Sequence, residues 1–160
     1  MDAPKGYRME KTMTRADLND CGPILVSACL LGIYCRYDGR CETDARVLGL
    51  ADEHVLIPVC PEQLGGLPTP RQAVELSGDR AVTKDGEDLT EAFTRGAQEA
   101  LRVARLNRVR AAVLQPRSPS CGRDLIYDGT FSGTRVQGHG VLAQALADEG
   151  MLLLVPDELG

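Results

Sequence analysis

The chain has 160 residues, with 18 Lys and Arg against 23 Asp and Glu and a formal charge of −5, a length that suits one domain with a real core. That acidic balance disfavours a nucleic-acid polymer as partner, and 4% aromatics without Trp leave little for a base-stacking platform. No apolar stretch reaches transmembrane length and no basic-then-apolar segment opens the sequence, so no membrane partner is expected and a cytoplasmic location is.

Residues 1–22 are polar and mixed in charge and read as a flexible N-terminal extension, with one helical turn at 15–18. Residues 23–160 read as a single α/β domain. A short aliphatic run predicts a first strand over 24–29, ending on Cys29. Loop chemistry comes next, with a turn at Asp38-Gly39. A short helix over 43–51 starts from Thr43 or Asp44 as cap. The second strand covers 55–60 and ends on Cys60. Two glycines and three prolines in 61–71 predict a shaped loop without regular structure. Residues 73–76 and 80–83 flank Ser77-Gly78-Asp79 as a hairpin. The most strongly periodic helix covers 88–107, with Leu89, Phe93, Ala97, Ala100, Leu101 and Ala104 as its buried stripe. A third strand at 111–114 leads into the loop carrying Cys121. Asp128-Gly129 predicts a two-residue hairpin turn between 125–127 and 130–132. A helix over 141–149, stopped by Gly150, precedes a last strand at 151–155. The alternation predicts a three-layer α/β/α sandwich with a mainly parallel, Rossmann-like sheet.

Cys29, Cys60 and Cys121 each come after a strand-like run. In open parallel sheets ligands bind outside the carboxyl ends of the strands, so the three thiols are expected at one edge. Converging thiolates bind soft metals or iron–sulfur clusters, and a reducing compartment favours that use of cysteine over disulfides. The plainer reading of any one thiol is a small buried hydrophobe. Cys21, Cys35 and Cys41 have no strand before them, lie in polar surroundings and keep that reading.

Glu62, two residues past Cys60, is a candidate to move protons beside a metal centre, against the alternative of a surface loop carboxylate. Ser118-Pro119-Ser120-Cys121-Gly122 sets two hydroxyls beside the third thiol, with Pro119 stiffening the loop. Arg36, Arg71 and Arg117 fall in these loops, where a guanidinium favours thiolates; Arg71 equally suits a surface pair with Glu75. His139 is a candidate fourth ligand for a Cys₃His zinc site. No phosphate-binding Gly-Lys loop or Rossmann glycine fingerprint occurs.

These segments resemble a known family. Ser27-Ala28-Cys29-Leu30-Leu31-Gly32 with Arg36-Tyr37-Asp38-Gly39 resembles the opening motif of the domain-of-unknown-function 523 family. Cys60-Pro61-Glu62 with Gly65-Gly66-Leu67 and Pro70-Arg71 is similar to its second motif. Ser118 to Gly122 with Ile126-Tyr127-Asp128-Gly129 and Phe131-Ser132-Gly133 is similar to its third, and the likeness spans about 24–156. Members include iron–sulfur-dependent thiouracil desulfurases, also called desulfidases. The resemblance implies a [4Fe-4S] cluster held by Cys29, Cys60 and Cys121, with the fourth iron free to take sulfur from a small thiolated substrate. It also implies catalytic roles for Glu62 and Ser118: the first as acid/base, the second in substrate orientation or proton relay. The chemistry is then a non-redox desulfuration. The sequence departs from the motifs in Cys41 and in the extension. Two other readings stand beside it: a non-catalytic zinc or cluster protein, and a small-molecule binding module with free cysteines.

Overall fold

The computed structural model describes residues 13–160. In chain order the elements are β1 (Ile24–Ser27), α1 (Ala45–Gly49), β2 (Leu56–Val59), α2 (Pro61–Leu64), β3 (Val74–Ser77), β4 (Arg80–Thr83), α3 (Thr90–Leu106), β5 (Ala111–Val113), β6 (Leu125–Tyr127), β7 (Arg135–Gln137), α4 (Val141–Asp148) and β8 (Leu152–Leu154). Four of the strands form a parallel sheet in the order β2-β1-β5-β8. Ile24 stands opposite both Leu56 and Ala111, and Ala111 opposite Leu152.

The alternation of side chains along these strands builds a core on each face. Ile24, Val26, Ala111, Val113 and Leu154 turn to one side, against Val47, Leu50, Leu18 and Leu159. Leu25, Ala112, Leu114 and Leu153 turn to the other, against α3 and α4 through Ala97, Ala100, Ala104, Leu142 and Leu146. The result is the expected three-layer arrangement. One outer layer is α3 with α4; the other is α1 with 3₁₀ turns at Arg15–Leu18, Ala28–Leu31, Leu50–Asp52 and Pro156–Leu159. Of the expected N-terminal extension, residues 1–12 lie outside the described residues. Leu18 and Cys21 are buried in the first core, so the packed body includes residues ahead of β1. Among the described residues no helix is long and apolar enough to cross a membrane.

Three local expectations differ from the structure. The first strand stops at Ser27, and Cys29 sits in the 3₁₀ turn beyond it, closed by Gly32 at φ +92°. The stretch after Cys60 contains α2, because Pro61 takes the first helical position, where its missing N–H costs nothing. The Asp128-Gly129 turn is not a two-residue hairpin. Asp128 accepts the N–H of Thr130 at 2.9 Å, and the strand pairing resumes only at Arg135. β6 and β7 are therefore joined by a seven-residue loop.

Two glycines join α2 to α3. A Cβ on Gly96 would stand 1.8 Å from the Pro61 carbonyl oxygen, and one on Gly65 would stand 2.1 Å from that of Ala92. Any side chain at either point would push the helices apart.

Candidate active site

The three cysteines that come after strands meet at the carboxyl edge of the sheet, as their positions in sequence predict. Cys29, just past β1, Cys60, at the start of α2, and Cys121, in the loop after β5, all line one cavity of about 540 Å³. Glu62 and Ser118 line it too. The parallel register forces this. Equivalent residues of β1, β2 and β5 stand side by side, so the segments leaving these strands emerge at the same edge.

A fourth thiol belongs to the same group. Cys35 is only 2% exposed, lines the cavity and interacts with the thiols of both Cys29 and Cys60, and Cys60 Sγ donates to the Cys35 carbonyl at 3.6 Å. The sequence places it among the bystanders, because no strand precedes it. The backbone brings it back, with Cys35 N–H donating to the Ile33 carbonyl at 2.9 Å in the turn after Cys29. The other two stand apart. Cys21 is packed in the core, and Cys41 bonds Thr43 Oγ1 at 3.4 Å.

Cys35, Cys60 and Cys121 hold their protons. Bonding with Cys29 pushes Cys35 up to about 11, and burial pushes Cys121 up to about 12. Its bond with Cys35, then burial, raises Cys60 further. Against this, one fixed positive charge favours thiolates at Cys35 and Cys60: Arg71, whose side chain is 5% exposed. Its Nη2 donates to the Cys35 carbonyl at 2.8 Å and approaches Cys60 Sγ at 3.9 Å.

Arg71 does not pair with Glu75, as the sequence alone allows. Its Nε donates to Glu62 Oε1 at 2.9 Å. The other oxygen, Oε2, accepts from Ser120 Oγ at 2.9 Å. Ser120 Oγ in turn lies 3.0 Å from Ser118 Oγ. Ser118 Oγ already accepts two backbone N–H groups, Ser120 at 3.2 Å and Cys121 at 3.0 Å. Its lone pairs are thus engaged, and its hydrogen points to Ser120. The chain of donors runs from Ser118 through Ser120 to Glu62. Sequence reasoning gives roles to the two ends and notes the Ser120 hydroxyl beside the third thiol without giving it one.

The Ser118–Cys121 loop is itself fixed by α4. The N–H groups of Val141 and Leu142 donate to the carbonyls of Pro119 and Ser120 at 3.0 and 2.8 Å. A Cβ on Gly140 would stand 2.6 Å from the Ser120 carbonyl. His139, the candidate zinc ligand, is not in the cavity; its Nδ1 accepts the Asp124 N–H at 3.1 Å. Among the described residues no three His, Cys, Asp or Glu close on a point where one metal ion is held. The thiols ring a space, which suits a soft, multi-atom group better than a single ion.

Fold and site together define an α/β protein with a thiol-ringed pocket and a buried acid–hydroxyl chain at the carboxyl edge of its sheet. Comparison with known proteins carries this further. A family model described as 2-thiouracil desulfurase matches residues 24–158, and the chain belongs to that family. It is 40% identical over 146 residues to an uncharacterised protein of Bacillus subtilis (strain 168), YbbK, a match covering 85% of this chain and 97% of the relative. It also resembles the solved structure of a [4Fe-4S]-dependent thiouracil desulfidase, TudS, with a TM-score of 0.82 and 40% identity, over 86% of this chain and 93% of the other.

Proposed function

We propose that this protein is a [4Fe-4S]-dependent desulfidase that cleaves the C–S bond of a thiolated nucleobase such as thiouracil. The observation that carries the reading is the single cavity that Cys29, Cys60 and Cys121 share with Glu62 and Ser118. Family membership and the likeness to TudS support it. The donor set fits such a group: buried, soft thiols around a space, with Arg71 to offset the negative charge of a thiolate-bound cluster. Cys29, Cys60 and Cys121 would hold it, and the reducing cytoplasm suits it. When bound, the cluster supplies a soft Lewis acid that polarises the C–S bond and receives the sulfur.

The chain's own residues handle the protons. The overall change is C=S plus water to C=O plus hydrogen sulfide, with no oxidation or reduction. As the Ser120 hydrogen passes to Glu62 Oε2 and the Ser118 hydrogen to Ser120, the lone pair freed on Ser118 Oγ takes a proton from the water. Hydroxide character then develops at the water as it attacks the carbon. Glu62 next holds the proton for the departing sulfur or the product nitrogen. The two N–H groups on Ser118 Oγ stabilise the charge that builds there.

The test is anaerobic purification, with iron and sulfide counted and sulfide release from 2-thiouracil and 4-thiouracil measured. We expect brown protein with about four iron per chain and uracil as the product. Glu62→Gln is expected to keep the iron and to lose turnover by roughly 10²-fold or more. Cys60→Ser is expected to lose both, and Cys35→Ser to keep its iron. Colourless wild-type protein, or loaded protein that releases no sulfide from any thiolated base, overturns the reading. Halved iron in Cys35→Ser overturns the ligand set.

A further inference from the structure

Resting on the desulfidase reading, we infer that Phe131 is the face on which the substrate ring stacks, so that the site selects planar heteroaromatic thiones. Aromatic residues are scarce here, 4 Tyr and 2 Phe in the whole chain. Three of these six, Tyr37, Tyr127 and Phe131, line the one cavity that holds the thiols. Composition disfavours a stacking platform; the fold gathers what there is into this wall. Tyr37 has the Arg36 guanidinium over its ring at 5.7 Å, so one face is already taken. Tyr127 is tied into the β6–β7 ladder opposite Arg135.

Phe131 is held differently. Its φ is +56°, a left-handed conformation that a bulky residue rarely adopts. The loop is secured to keep it there. The N–H groups of Gly129 and Phe131 both donate to Glu75 Oε1 on β3, at 3.0 and 3.1 Å. Gly129 lies so near β3 that a Cβ would stand 2.8 Å from the Leu76 carbonyl oxygen. A glycine or asparagine would meet the backbone requirement at position 131 with less strain. The residue present instead brings a ring to the cavity wall, and base–aromatic stacking is the interaction such a ring supplies. Glu75, a cavity-lining carboxylate spent on two backbone N–H groups, is the positioning residue for it.

Uracil and 5,6-dihydrouracil separate stacking from hydrogen bonding. They share the same donors and acceptors, but only uracil is flat and aromatic. Their Kd values are measured by titration on iron-loaded protein, beside KM and kcat for 2-thiouracil. Wild type is expected to prefer uracil. Phe131→Leu keeps apolar bulk without a π face and is expected to weaken uracil about ten- to hundredfold. It should leave dihydrouracil and iron content nearly unchanged, and raise KM with kcat retained. Phe131→Tyr should restore the preference. Glu75→Ala should behave like Phe131→Leu, and Glu75→Gln, which keeps the acceptor oxygen, like wild type. If Phe131→Leu does not accumulate, the Glu75 pair carries the same comparison. An unchanged uracil preference in Phe131→Leu or Glu75→Ala, with wild type active, overturns the stacking role alone. Loaded wild type that neither binds uracil nor releases sulfide from thiouracil overturns the desulfidase reading and the stacking role with it.

Discussion

Glu62 has a different partner at each oxygen, a guanidinium at Oε1 and a hydroxyl at Oε2. The first fixes where the carboxylate stands, and the second connects it to Ser118. Removing the connection should therefore separate the two roles. Ser120→Ala is expected to keep its iron and lose turnover by roughly 10²-fold, approaching the loss in Glu62→Gln, because Ser118 no longer has a route to the carboxylate. Ser120→Thr, which keeps the hydroxyl, should recover part of it. Solvent isotope effects measure the change: a relay moving several protons gives a larger effect in wild type than in Ser120→Ala. Equal turnover in Ser120→Ala and wild type excludes the relay. At this scale the sequence is a good guide to reactive types and a poor one to partners. Cys29, Cys60 and Cys121 are legible because a strand precedes each. Cys35 is not, and neither is the link that Ser120 makes, since a turn and a hydrogen bond, and no periodic pattern, create them.

Short elements do most of the positioning. α2 has four residues, too few to stand alone. It keeps its place because Gly65 and Gly96 let it lie directly on α3. Gly96→Ala places a methyl group against the Pro61 carbonyl and must move α2, and Glu62 with it. We expect a loss of about 1–3 kcal/mol in stability, readable in urea unfolding, and a turnover defect out of proportion to it. Wild-type stability and turnover in Gly96→Ala would show that the contact is unimportant. Apart from β7, expected at 130–132 and found at Arg135–Gln137, the strands and α3 are legible within a residue or two from their apolar runs. α2 is hidden by its prolines and glycines, which punctuate loops as often as they start helices. The Asp128-Gly129 turn misleads for a related reason. Local preference favours a tight hairpin, and the tertiary contacts of Gly129 with β3 and Glu75 outweigh it.

For the whole molecule, the protonated thiols tie stability to pH. In protein without the cluster, Cys35 and Cys121 titrate near 11 and 12, against an ordinary value of 9.0. The folded state keeps protons that the unfolded chain releases. That contribution is complete below about 9 and is lost as pH rises towards 11 and 12. The Tm of cluster-free protein should therefore fall between pH 8 and pH 11, and fall less in Cys121→Ala. A parallel decline in both proteins would remove Cys121 as its source. The three-layer architecture is the most legible feature of all, because alternating strand and helix signals leave few topologies to choose from.

The bonds from α4 to the Ser118–Cys121 loop bear on the order in which a new chain becomes competent. Cys29 and Cys60 leave the ribosome early. The third thiol does not reach its final place until Val141 and Leu142 can donate to Pro119 and Ser120, and until β8 has paired with β5. Both events need residues synthesised after Gly140. A nascent chain is therefore expected to present an incomplete ring of thiols, and on the proposed function stable cluster installation is expected to wait until α4 and β8 have emerged. Chains truncated after Gly140 should retain no iron under conditions that load the full protein; a truncated chain that holds a full complement would show that the order is otherwise.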